Sequence, residues 1–197
     1  MAKPRRTGAE TSETRARILD VTEQIMLADG YASVSSRSVA KEVGVTPALV
    51  HYYFGTLDDL FRAVLRRRVD QQLERQARVL SSTDRPLHAL WKMNSDPART
   101  GLVLEFMSLA NHRKEIRAEL AAIATQFREA QLQLLREHVE RCGLAAGGVS
   151  PLATVVLLNY LAQGAVLEHN IGMDVGTAEV RALVERLLDQ FEGEEPQ

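Results

Sequence analysis

The chain has 197 residues, 45% hydrophobic and 25% charged, enough apolar material to close one or two buried cores. Its 24 Lys and Arg against 26 Asp and Glu leave a formal net charge of -2, so overall charge does not announce a nucleic-acid partner, and the single cysteine, Cys142, excludes an internal disulfide. No apolar run is expected to span a bilayer, and the opening MAKPRRTGAE lacks the apolar stretch of a secretory signal, so a soluble, cytoplasmic protein with no membrane partner is expected.

Between Thr11 and Gly30, Ile18, Val21, Thr22, Ile25 and Met26 recur on one helical face, and Gly30 stands where a helix stops. After the connection YASVSS, the stretch SSRSVAKEVGVTPALVHYYF, Ser35 to Phe54, predicts a helix, a tight turn and a second helix. Ser35 or Ser36 caps the first helix, whose Val39, Ala40 and Val43 face inward. Gly44 takes the left-handed conformation that ends it, and Val45 turns back to the core. Thr46 caps the second helix, with Pro47 at its first position, where a missing N–H does no harm.

On that second helix Leu49 or Val50 and Phe54 can anchor to the core, which leaves the rest to face outward. Small residues near its start let the backbone approach base edges. The hydroxyls and imidazole further along can donate to phosphates, which fixes register without reading sequence. The alternative is an aromatic cluster packed beside the core; the caps and the glycine turn favour DNA contact. The expected DNA-binding residues are Ser36, Arg37, Thr46, Pro47, Ala48, Leu49, His51, Tyr52, Tyr53 and Thr56, with Arg5 and Arg6 on a basic arm that can reach the adjacent minor groove. Charge placement agrees: Met1 to Arg68 hold eleven Lys and Arg against eight Asp and Glu, and the remainder thirteen against eighteen. The run Arg66, Arg67, Arg68 is read as a solvated helix face and left out of the site.

Residues Thr14 to Leu65 resemble the N-terminal domain of the TetR family of bacterial transcriptional regulators, through RARILDVTEQIMLADGY, VSSRSVAKEVGVTPALVHYYF and LDDLFRAVL. The resemblance implies a homodimer on an operator, released by a small effector. Two positions depart from the family. Most members follow the closing Phe with Ser or Asn and then a Lys that binds a phosphate at the start of the fourth helix; here Gly55, Thr56 and Leu57 stand instead, and the N–H groups after Thr56 are left to hold the phosphate with less charge. His51 stands where the family often has Tyr.

From Leu57 onward the pattern predicts helices over 57–81, 86–94, 97–112, 114–142, 151–171 and 177–192, with no alternating strand pattern and no internal repeat. The fold class is all-α, about nine helices: a three-helix helix-turn-helix domain over 1–56 and a helical bundle for ligand binding and dimerisation over 57–197. In the last helix Val180, Leu183, Val184, Leu187, Leu188 and Phe191 make one apolar stripe, and Pro151 to Ile171 is apolar on nearly all sides, including Leu152, Val155, Val156 and Tyr160. These residues are the expected interface with a second copy, in a two-fold four-helix bundle; the alternative is the centre of a monomeric bundle.

A small, largely apolar effector is expected among the middle helices, with Trp91, Met93, Leu102, Phe106, Met107, Leu109, Phe127 and Tyr160 as walls. Glu105 is either a polar anchor in that pocket or the partner of a nearby Arg at a helix interface. His112, His138 and His169 have no i, i+3 or i+4 spacing, so no metal is expected, and no cofactor. No nucleophile elbow, Walker loop or dinucleotide fingerprint is present, so an enzyme is not expected. A regulator controlled by a partner protein, or by no ligand, is the competing account.

Overall fold

The computed structural model of the chain describes residues 8–143 and 148–193, and for residues 8–12, 98 and 99 the backbone alone. Among these residues there are nine α-helices and one short 3-10 turn, and no strand: α1 (Gly8–Asp29), the turn Tyr31–Ser33, α2 (Ser36–Val43), α3 (Pro47–Phe54), α4 (Leu57–Ser81), α5 (Pro86–Asn94), α6 (Pro97–His112), α7 (Lys114–Arg141), α8 (Pro151–Asn170) and α9 (Thr177–Glu192). Prolines open α3, α5, α6 and α8, where the ring fits the first turn and no N–H is lost.

The chain forms two compact units, and the division falls inside helices rather than at residue 56. One unit holds residues up to Val69 together with Leu102–Ala118; the other holds Asp70–Gly101 and Glu119 onward. The physical reason lies in the first half of α4, which carries apolar residues that the first unit needs. Leu60, Phe61, Val64 and Leu65 are all buried, as are Ile18, Leu19 and Met26 of α1. Each such burial contributes about 1.5–3 kcal/mol relative to exposure. The arginine run that follows pairs with α1: Arg67 Nη1 lies 2.6 Å from Asp20, and Arg68 Nε 3.2 Å from Glu23.

The second unit is built round a core of Leu80, Leu87, Leu90, Trp91, Leu135, Val139, Val155, Leu158, Ala162, Val184 and Leu188. By length and composition α8 is long and apolar enough to cross a membrane, contrary to the expectation that no run reaches that size. It serves here as a core helix, capped by Ser150, whose Oγ accepts from Ala153 N at 3.1 Å.

Two polar assemblies lie inside this unit. Asn94 Nδ2 donates to Asn159 Oδ1, Asn159 Nδ2 to Gln131 Oε1 at 2.8 Å, and Gln131 Nε2 to Gln76 Oε1 at 2.9 Å, a head-to-tail chain of four buried amides. Glu192, its side chain fully buried, accepts from Leu87 N at 2.7 Å and His88 N at 3.0 Å, where α5 begins. His88 Nδ1 approaches the same carboxylate at 2.6 Å, and His138 Nε2 lies 2.7 Å from its other oxygen.

Candidate nucleic-acid interface

The turn between α2 and α3 follows from four residues. Ser35, not Ser36, is the cap of α2: its Oγ accepts from Ser38 N at 3.0 Å, and Ser38 Oγ accepts from Ser35 N at 2.9 Å. Gly44 ends the helix at φ 77°, ψ 34°, a conformation that costs a residue with a Cβ about 1 kcal/mol or more. Val45 N then donates back to Ala40 O at 2.9 Å, which closes the turn. Thr46 occupies the cap position of α3, but its hydroxyl does not cap the helix as expected; its backbone carbonyl accepts from Leu49 N at 2.9 Å.

Val50 and Phe54 hold α3 down, and Arg15 of α1 lies over the Phe54 ring at 5.1 Å. Outward stand Arg37, Thr46, Pro47, Ala48, His51 and Tyr52, all exposed, with Ser36, Leu49 and Tyr53 half-buried beside them. Tyr52 is 77% exposed and meets Tyr53 edge-on, with ring centroids 5.5 Å apart, so these rings are not a packed core cluster. Lys41 was not among the expected residues; it is exposed one turn after Arg37, and that four-residue basic spacing was readable. Arg5 and Arg6 lie outside the described residues.

The joint from α3 to α4 differs from expectation. Thr56 and Asp59 close a reciprocal cap: Asp59 N donates to Thr56 Oγ1 at 3.1 Å, while the Thr56 hydroxyl donates to Asp59 Oδ2 at 2.6 Å and Thr56 N to the same oxygen at 3.3 Å. The Thr56 hydroxyl holds Asp59 below the usual carboxylate range, so a full negative charge sits where the N–H groups of α4 were expected to receive a phosphate. The Thr56 hydroxyl is committed to that cap. One position earlier, Gly55 N donates to His51 O at 2.8 Å and His51 Nδ1 lies 2.9 Å from Gly55 O, so the imidazole is fixed at the end of α3.

The remaining expected residues scatter. Glu105 accepts from Tyr31 N at 2.7 Å, a backbone partner that neither expected role had named. Met107 is 51% exposed and Tyr160 59% exposed with Arg128 over its ring, so neither walls an interior space. Leu102, Phe106 and Leu109 are buried in the first unit, and Trp91 and Met93 in the second, with Phe127 half-buried. Of the expected dimer residues, Val155, Val184 and Leu188 belong to the second unit's own core, because each helix turns one apolar side inward. Leu152, Tyr160, Val180, Leu183 and Leu187 stay exposed, with Val156 and Phe191 half-buried. Leu157, Leu161 and Leu167 share that exposure, and an all-apolar helix does not say which side faces in.

A capped helix, a glycine turn and a second helix showing small residues and hydroxyls is the geometry that enters a major groove. Residues 18–64 match the bacterial regulatory proteins of the tetR family, and residues 87–192 match the C-terminal part of the BetI-type transcriptional repressors. The chain belongs to the TetR family of bacterial transcriptional regulators. Among TetR relatives, the regulator HbdR of Aromatoleum sp. (strain CIB) is 25% identical over 154 residues, 75% of this chain and 65% of that protein. SrpR of Pseudomonas putida is 34% identical over 64 residues, 32% of this chain and 30% of that protein. The matched stretches thus span less than two thirds of these two relatives. A transcriptional regulator from Saccharomonospora viridis, solved in complex with choline, superposes with a TM-score of 0.72 at 21% identity, covering 88% of this chain and 96% of that one.

Proposed function

We propose that this TetR-family chain is a cytoplasmic, homodimeric repressor that binds a pseudo-palindromic DNA operator and is released from it by a small effector. The observation that carries the reading is the exposed surface of α2 and α3: Arg37, Lys41, Thr46, Pro47, Ala48, His51 and Tyr52 beside a turn shaped by the Ser35 cap, Gly44, the Val45 N–H bond to Ala40 and Pro47. The small side chains of Pro47 and Ala48 face the bases, and the cations and hydroxyls hold the phosphates.

A second copy is supported by the outer sides of α8 and α9. Leu157, Tyr160, Leu161 and Leu167 on one helix and Val180, Leu183 and Leu187 on the other are exposed apolar residues, and apolar patches on an outer face mark interaction sites. Two recognition helices then read half-sites about 34–36 Å apart, or multiples of that spacing.

The effector reading rests on the amide chain of the second unit. Gln76 is fully buried, and its Nε2 has no hydrogen-bond partner among the described residues, so a largely apolar compound with one hydrogen-bond acceptor is the class favoured. The choline carried by the Saccharomonospora viridis protein is the first compound to test by thermal shift, where occupancy raises stability by RT ln(1 + [L]/Kd).

The deciding experiment is binding of the purified protein to a fragment from upstream of its own gene, against random DNA, at two salt concentrations. Salt-sensitive binding that random DNA does not compete away is the expected result. Failure to bind any DNA at low salt overturns the reading.

A further inference from the structure

His51 occupies the last turn of α3, is exposed, and keeps Nδ1 2.9 Å from the Gly55 carbonyl oxygen. A carbonyl oxygen can only accept, so Nδ1 carries the hydrogen. In the neutral ring Nε2 is therefore a bare lone pair, which repels a phosphate oxygen. In the imidazolium both nitrogens donate: Nδ1–H keeps the Gly55 bond and Nε2–H is available to a phosphate. A tyrosine at this position would donate at any pH.

The neighbouring joint sharpens the point. No lysine follows Phe54, the Arg15 guanidinium lies over the Phe54 ring, and the Asp59 carboxylate stands at the start of α4, so the ordinary lysine contact to a phosphate is missing at this joint. We propose that His51 makes DNA binding by this chain proton-dependent, its imidazole meeting a backbone phosphate only when doubly protonated, so that affinity rises as pH falls through the imidazole range. The inference rests on the operator-binding reading above.

The charged and titratable groups on α3 and on the helices that flank it in this unit lie on four elements. On α4, Asp59 Oδ2 lies 3.5 Å from where a Cβ on Gly55 would stand, with Arg62 at 3.8 Å from its other oxygen, and Asp58 is paired with Arg113. On α2, Lys41 and Glu42 are exposed in the last turn. On α1, Arg15 stacks on Phe54 and Arg17 donates to Val43 O at 3.3 Å. On α3 itself are Tyr52 and Tyr53. As free side chains, carboxylates, phenols, ammonium and guanidinium groups titrate outside the range of about pH 6–8, and the Thr56 hydroxyl pushes Asp59 further from it. His112 is the other histidine of this unit and lies on α6.

The test is the affinity of the full chain for the upstream fragment at pH 6 and pH 8, each at two salt concentrations, for the wild type, His51→Gln and His51→Tyr. A phosphate that displaces the imidazole titration by one unit makes binding at pH 6 about sixfold tighter per protomer, and roughly thirty- to fortyfold tighter for two. The salt slope is steeper at pH 6 by about one per protomer. Both variants donate at either pH and are expected to lose the difference, as His112 and every other group is retained in them. His51→Tyr keeps the comparison readable if His51→Gln fails to fold. A wild-type ratio near one, or the same ratio in the variants, overturns the inference and leaves operator binding standing. No binding by any of the three proteins at either pH overturns the operator reading and this inference with it.

Discussion

Tyr31 and Glu105 stand 74 residues apart and share a hydrogen bond of 2.7 Å from the backbone N–H of one to the carboxylate Oε2 of the other. Gly30 makes it possible: at φ 80° it ends α1 and turns the Tyr31 N–H outward, and a Cβ there would stand 3.6 Å from the same oxygen. The bond ties α6 to the end of α1, within the unit that carries the recognition helix. Glu105→Ala leaves that N–H without its acceptor and is expected to cost about 1–3 kcal/mol. For a chain of this size that lowers Tm by about 2–4 °C per kcal/mol. Glu105→Gln keeps an acceptor and recovers most of the loss. Equal melting of wild type and Glu105→Ala would show that the bond contributes nothing.

The Glu192 carboxylate joins the end of α9 to the start of α5 and to His138 of α7. Glu192→Ala leaves the N–H groups of Leu87 and His88 without their acceptor, a loss of about 1–3 kcal/mol for each buried group left unsatisfied. Chemical denaturation of the full chain reads it directly. A variant as stable as the wild type would mean that water replaces the carboxylate without penalty.

The outer and inner faces of α9 let the proposed association be tested apart from folding. Leu183 and Leu187 are exposed, whereas Val184 and Leu188 are buried in the core. Leu183→Asp is expected to yield a monomer with the helical content of the wild type, seen by sedimentation and circular dichroism. Leu188→Ala opens a cavity and costs about 2–5 kcal/mol of stability. If Leu183→Asp leaves the oligomeric state unchanged, the outer faces of α8 and α9 are not the interface.

These contrasts mark what the sequence could and could not say. The helix boundaries were legible because prolines and glycines punctuate them: the spans read from the pattern for 57–81, 86–94 and 97–112 agree with α4, α5 and α6. The turn of the DNA-reading motif was legible for the same reason, through Gly44 and Pro47. The amide chain was not, since Gln76, Asn94, Gln131 and Asn159 look like any solvated polar residue until four helices bring them together. Nor was the inward side of α8, whose apolar residues run all round. Thr56 and Asp59 stand at capping-box spacing, so the cap that places a carboxylate at the start of α4 was present in the sequence as a signal.

That cap makes a prediction about acid. Asp59 accepts the Thr56 hydroxyl and N–H, and the hydroxyl bond, ahead of the charges of Arg62 and Arg66, lowers its pKa below the ordinary 3.8. A depressed carboxylate contributes stability that is fully present above the unfolded value and is lost as pH falls through the folded one. The contribution should therefore be intact at pH 5 and disappear only below about pH 4. Thr56→Val removes the hydroxyl, brings the Asp59 titration back toward its ordinary value, and flattens the acid limb of the stability curve below about pH 4. Carboxyl chemical shifts followed by NMR across that range measure the Asp59 titration in both proteins. If Asp59 titrates at the same pH with and without the Thr56 hydroxyl, the cap does not hold the carboxylate, and α4 would be free to receive a phosphate after all.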